Sequence, residues 1–187
     1  MLEIRFHGRG GQGTVLAAKI ISEAVLRGGT GQCLAIPEFG VERRGAPVVA
    51  YARISDQGIK IRSKIYAPGA VVLLDPRLTG SGITQGLSPG ALIIINSERD
   101  LKSLSQQFPG MRVRSVPARR IALKHGLGPK ATPLVNTTMA GAVCAMLDLA
   151  DRAAVADAVA SSVPVKTREN AEAALEAFDL VEEKLYA

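Results

Sequence analysis

Two stretches of this chain, Ala70-Val71-Val72-Leu73-Leu74 and Ala91-Leu92-Ile93-Ile94-Ile95, are apolar without a break, and each ends on a polar residue, Asp75 or Asn96. A strand with one wetted face alternates apolar and polar side chains, whereas an unbroken run belongs to a strand covered on both faces. The two runs therefore demand layers above and below a sheet, which points to the α/β class. Aromatic residues make up only 4% of the chain and Trp is absent, so Ala, Val, Ile and Leu must do the packing.

The remaining segments supply those layers. A strand over about 2–7 leads into a helix over about 13–26, with Val15, Ala18, Ile21, Ala24 and Val25 on one stripe and Arg27-Gly28-Gly29 as its stop. A second strand is expected at about 32–36. Segments 48–54 and 59–62 flank Ser55-Asp56-Gln57-Gly58 and read as an antiparallel hairpin with alternating faces. The stretch 78–90 is rich in Gly and Pro, which leaves room for at most a short helix. Residues 111–116 suit a strand, and Pro117 can open a short helix over 118–125. Beyond Asn136 the pattern is helical: Asn136 is expected to cap a helix through Leu149, with Gly141 allowing a close approach. Asp151 caps the next helix, to about Ser161. Thr167 and Asn170 offer starts for a last amphipathic helix over 171–186, which docks through Ala174, Leu175, Phe178, Val181 and Leu185. The expectation is one domain over 1–187, a three-layer α/β/α arrangement. Its sheet is mixed but mostly parallel, with an antiparallel hairpin, and the C-terminal third is helical; 187 residues suit the size of about 100–200 per domain.

Between the first strand and the first helix lies Gly8-Arg9-Gly10-Gly11-Gln12-Gly13. Glycines there let backbone N–H groups at a helix N-terminus approach an anion or another chain without interference from Cβ atoms. The spacing fits G-x-G-x-x-G, and Glu38 stands at about the distance, some 20 residues on, where a dinucleotide site places its ribose-binding acid. Pro37 and the broken loop after it work against that geometry. A P-loop is excluded, because Thr14 occupies the position of the phosphate-binding Lys. A phosphate-type ligand, a structural turn and a subunit contact all remain compatible with the motif.

Cys33 and Cys144 each sit in an apolar segment and are expected to be buried thiols; two cysteines cannot ligate a cluster, and His7 and His125 are far apart, so no metal site is expected. The net charge of +6 is spread over Arg43-Arg44, 60–64, 112–120 and 124–130, without aromatic stacking partners or a recognition-helix signature, so nucleic acid is not expected as a partner. No apolar run approaches the roughly 18 residues that span a bilayer, and the N-terminus enters a strand at once. A cytoplasmic protein with no membrane partner is expected. His7, Asp75, Asn96 and Arg119-Arg120 read as turn, cap and surface residues, not catalysts.

Three motifs in order, Phe6-His7-Gly8-Arg9-Gly10-Gly11-Gln12-Gly13, then the segment Pro37 to Val48 with Glu42-Arg43-Arg44 at its centre, then Asn136-Thr137-Thr138-Met139-Ala140-Gly141-Ala142, resemble the gamma subunit of 2-oxoacid:ferredoxin oxidoreductases. Pyruvate:ferredoxin oxidoreductase is the best-known member. The resemblance runs from Met1 to about Leu149. It implies an assembly that converts a 2-oxoacid and coenzyme A into acyl-CoA and carbon dioxide, electrons passing to ferredoxin or another low-potential acceptor. Pyruvate is the first choice of substrate, with phenylglyoxylate and other 2-oxoacids open. In the family, thiamine diphosphate with Mg lies between alpha and beta subunits, and 4Fe-4S clusters are held by beta and a ferredoxin-like delta. Gamma would then hold no cofactor alone and carry no catalytic residue. Gly8, Arg9, Gly10, Gly11, Gln12, Gly13, Glu42, Arg43 and Arg44 are the candidate contacts to coenzyme A or to neighbouring subunits. The alternative is a stand-alone dinucleotide-binding oxidoreductase using Gly8, Gly10 and Gly13.

Overall fold

A computed structural model describes residues 1–38, 45–80 and 82–186. Six strands, β1 (Leu2–Arg9), β2 (Gln32–Pro37), β3 (Pro47–Ser55), β4 (Ala70–Leu73), β5 (Leu92–Asn96) and β6 (Arg112–Val116), form one sheet in the order β2-β3-β1-β4-β5-β6. Pairings β1–β4, β4–β5 and β5–β6 are parallel, and β3 alone runs against its neighbours β1 and β2. The helices are α1 (Thr14–Arg27), α2 (Leu101–Gln107), α3 (Ala118–Lys124), α4 (Asn136–Met146), α5 (Arg152–Ser162) and α6 (Thr167–Tyr186). The mixed α/β sheet with helices on both sides agrees with the expectation.

The hairpin is placed differently. Residues 59–62 form no strand. One edge of β3 is taken by β1 and the other by β2, so no edge is left for a partner that follows it in sequence. The antiparallel element is β2–β3, joined through a longer connection. Boundaries also move: β1 continues through Gly8 to Arg9 and α4 stops at Met146, while α6 starts at Thr167, one of the two starts the sequence offers. Asn136 is not a cap. Val135 holds the N-cap position without a side-chain bond, and Asn136 is the first helical residue. Asp151 does cap α5, accepting from the Ala154 N–H at 2.7 Å.

One face of the sheet is packed by α1, α3, α4, α5 and α6 around Ile4, Phe6, Ala50, Ala52, Val72 and Ile94. Close approach is essential here: a Cβ on Gly141 would lie 2.1 Å from the Ala174 carbonyl oxygen of α6. Cys144 is fully buried in this layer, and Cys33 lies against it with its Sγ 3.0 Å from Ser22 Oγ.

The opposite face is divided. Over β4, β5 and β6 lies an apolar cluster of Val71, Leu73, Ile93, Ile95 and Val113, closed by Leu78, Ile83, Leu104 and Phe108. Over β1 and β3 the side chains that alternate with the core are Glu3, Arg5, His7, Tyr51 and Arg53, all but Glu3 buried. Two arginines hold loops in place instead. Arg5 donates to the carbonyls of Ile83 and Gln85, each at 2.8 Å. Arg53, only 3% exposed, donates to the carbonyls of Ile61, Ser63 and Lys64 and pairs with Glu3 at 2.7 Å. A buried guanidinium is tolerated because carbonyls and a carboxylate satisfy its donors.

Candidate functional site

The carboxyl ends of β1 and β4 adjoin at the point where successive connections leave to opposite sides of the sheet, the place where open α/β sheets bind ligands. Gly8 lies within β1, and the turn proper is Gly10-Gly11-Gln12-Gly13. Gly11 and Gly13 adopt φ of 91° and 73°, and Gly13 is the left-handed N-cap of α1. L-residues avoid that region, so the sequence needs glycine at both positions. Gly8 and Gly13 are also required by space. A Cβ on Gly8 would meet Thr14 Oγ1 at 2.2 Å, and one on Gly13 would meet Asn136 Nδ2 at 2.5 Å, so the first and third sequence motifs touch here. The N-terminus of α1 has no side-chain cap and no acidic residue in its first turn.

Asp75 fastens this turn from the neighbouring strand. Its carboxylate is 1% exposed and accepts from Arg9 Nε at 2.9 Å, from Gln12 Nε2 at 3.3 Å, and from the N, Nε and Nη2 of Arg77 at 3.0, 2.9 and 2.7 Å. Gln12 closes the turn by accepting from the Arg9 N–H at 2.8 Å, while Arg9 Nη1 donates to the Gly45 carbonyl. Burial alone would raise the Asp75 carboxyl, but the Arg77 hydrogen bonds and the charges of Arg77 and Arg9 outweigh it and hold the group at about 2. One carboxylate thus faces two guanidinium groups, which leaves the rim of the turn cationic. Arg77 is 73% exposed beyond its pair.

Two cavities share Gln12 and Arg77. One, of about 550 Å³, runs along Gly10, Gly11 and Gly45 to Pro133; the other, of about 410 Å³, continues past Asp75 to Asn96, Arg99 and Arg119. Asn96 ties its far end together, donating to the Leu74 carbonyl and accepting from the Arg119 N–H. Of the residues singled out from sequence, Gly8, Arg9, Gly10, Gly11, Gln12 and Gly13 converge at this edge. Glu42, Arg43 and Arg44 lie outside the described residues. Asp75, which from sequence ends a buried strand at the ligand-binding edge and reads equally well as a cap, belongs to the site; Arg77 was missed, and the signal for it was an Asp-Pro-Arg directly after a fully buried strand.

Glu38 does not occupy a ribose-binding position. The dinucleotide fingerprint sets its acid on the strand next to β1, and here β3 intervenes. Glu38 instead accepts from Tyr51 Oη and pairs with Lys64. His7 is buried and neutral: burial first, then the Arg5 charge, push it down to about 4, and its Nε2 accepts from Arg5 Nε at 3.0 Å. Burial raises the Cys33 thiol and pushes Cys144 up to about 12. The chain has two cysteines, and a 4Fe-4S cluster held by thiolates needs four. Among the described residues no group of three His, Cys, Asp or Glu could hold a metal ion, and no helix is long and apolar enough to cross a membrane.

Residues 3–182 match the pyruvate ferredoxin/flavodoxin oxidoreductase family. The chain is 42% identical over 184 residues to the pyruvate/ketoisovalerate oxidoreductases common subunit gamma of Thermococcus kodakarensis, covering 96% of each chain. It is 40% identical over 181 residues to the pyruvate synthase subunit PorC of Methanocaldococcus jannaschii, again covering 96% of both. The crystal structure of the pyruvate oxidoreductase subunit PORC from Thermotoga maritima superimposes with a TM-score of 0.78 at 28% identity, covering 95% of each chain. Full-length coverage, the shared sheet and the convergence of the glycine and Asn136 motifs agree, and the chain belongs to the pyruvate ferredoxin/flavodoxin oxidoreductase family as a gamma-type subunit of a multisubunit oxidoreductase.

Proposed function

We propose that the chain serves a CoA-acylating 2-oxoacid oxidoreductase, with pyruvate as substrate, and that its glycine turn and the Glu42-Arg43-Arg44 segment form the entrance used by coenzyme A. The names of the relatives support pyruvate. The observation that carries the CoA role is the cavity along Gly10 and Gly11, ahead of the uncapped N-terminus of α1 and beside the Arg9 and Arg77 guanidinium groups. Coenzyme A carries several phosphate charges; backbone N–H groups and guanidinium forks bind such groups directionally.

Chemistry proceeds elsewhere in this reading. Thiamine diphosphate with Mg on alpha and beta supplies the carbanion chemistry, and 4Fe-4S clusters on beta and delta carry the electrons to ferredoxin or another low-potential acceptor. This chain's residues position and orient. Asp75 fixes the turn, Arg77 and Arg9 offer positive charge, and the Pro129–Val135 wall narrows the cavities. A cytoplasmic location is part of the same proposal.

An Arg44→Ala variant in the assembled complex tests it. The expected result is a CoA KM raised about tenfold, the loss of one charged hydrogen bond, with kcat and assembly retained. Unchanged CoA kinetics together with lost assembly would reassign the segment to a subunit contact.

A further inference from the structure

Segment 59–66, Ile59-Lys60-Ile61-Arg62-Ser63-Lys64-Ile65-Tyr66, has the alternation of a strand and pairs with none. It is nevertheless fastened along its length. Arg53 reaches up from the sheet to the carbonyls of Ile61, Ser63 and Lys64; Ile65 is buried; and Gly86 packs so closely that a Cβ there would lie 1.8 Å from the Tyr66 carbonyl oxygen. What this scaffold displays is apolar and cationic. Ile61 is 52% exposed and Tyr66 76% exposed, with Lys60 and Arg62 exposed on either side of Ile61.

Single exposed apolar residues are normal on any protein. Met1, Leu26, Leu101, Leu134 and Val165 are such cases, each on a different part of the molecule. Ile61 and Tyr66 differ in sharing one strap whose backbone is already ordered, so burying them on a partner costs little loop entropy. Tyr is also a side chain that interfaces concentrate, because its ring is apolar and its hydroxyl can stay wet.

We infer that this strap is a docking hook for a companion subunit of the oxidoreductase, one presenting an apolar pocket for Tyr66 and Ile61 with acidic residues around it. The inference rests on the chain's role as a subunit. Charge chooses the occupant: between Lys60 and Lys64 the strap carries three cations and no anion, so two copies of this chain meeting strap to strap would set like charge against like, whereas an acidic companion complements it. Glu38 already pairs with Lys64, which leaves Lys60 and Arg62 for the partner. Nucleic acid would use the cations but leave Ile61 without a counterpart.

The test uses the full chain and the purified companion subunits from the same organism, with association measured at low and high salt. Ile61→Ala with Tyr66→Ala weakens association about 30-fold, as for a hot spot. Lys60→Ala with Arg62→Ala weakens it about tenfold at low salt and removes most of its salt dependence. Val165→Ala, 69% exposed on another surface, has no effect. All these side chains point outward, and circular dichroism checks that the variants fold. If the wild-type chain binds and the double alanine variant binds equally well, the hook is refuted while the subunit role stands. No binding by the wild-type chain refutes both. Strap variants that change self-association or nucleic-acid binding instead of subunit binding also overturn the inference.

Discussion

The sheet face opposite the main helical layer is covered in two ways. Over β4 to β6 the contact is an apolar cluster centred on Val71, Ile93, Leu104 and Phe108; over β1 and β3 it is Arg5 and Arg53 gripping loop carbonyls beside a buried neutral His7. Apolar burial is non-directional and stabilises the whole domain. Charge-assisted hydrogen bonds are directional, so they fix where particular loops lie. The first half makes the fold robust. The second makes it specific, and both the cationic turn and the exposed strap lie beside it.

Replacing a side chain in each half should separate these roles. Phe108→Ala removes a fully buried ring and is expected to lower unfolding free energy by about 4 kcal/mol, measured by urea denaturation, with hydrogen exchange accelerated across the domain. Arg53→Met is expected to cost about 3 kcal/mol, since buried carbonyls lose their donor, but faster exchange should concentrate in residues 61–65. Uniform acceleration in both variants would erase the distinction.

Acid should discriminate next. His7 is held at about 4, below its usual 6.5, so the unfolded chain binds the proton more readily. The stability it confers is complete above about pH 6.5 and lost as pH falls towards about 4. Between pH 7 and 5 a loss of about 2 kcal/mol is expected, first visible as loosening of the loops over β1 and β3. A His7→Gln variant should flatten that part of the profile. Asp75, held at about 2, keeps its contribution above its usual 3.8 and loses it only below that, so the turn should outlast the histidine half on acidification.

Asp75→Asn is expected to cost about 2 kcal/mol, because the amide keeps one acceptor for the Arg77 N–H but turns an NH2 toward the donors of Arg9 and Gln12. Its local effect should be larger: faster amide exchange at Gly10 to Thr14 and a raised CoA KM in the complex. Loosened exchange with unchanged CoA kinetics would keep Asp75 as the fastener while removing the turn from CoA binding.

Much of this architecture could be read from residue patterns. Unbroken apolar runs identified β4 and β5 because a doubly covered strand has no other solution, and Arg27-Gly28-Gly29 and Asp151 marked helix ends through local backbone chemistry. Residues 59–62 misled for the same reason: alternation reports that a segment can be a strand, not whether a sheet edge is free to receive it. Asp75 looked like a cap, and it is one, to the short turn at Pro76–Leu78. That it also holds Arg9 and Gln12 depends on β4 lying beside β1, far away in sequence.

Local rules, then, settled the class of fold, the need for glycine at Gly11 and Gly13, and the want of a cluster-binding thiol set, since each follows from side-chain type and near-neighbour sterics. Strand order was decided only in three dimensions. The insertion of β3 between β1 and β2 removed Glu38 from the glycine turn and placed Arg53 under the strap, while the pairing of β4 with the other edge of β1 brought Asp75 to the turn, because pairing partners are chosen by competition among all edges at once.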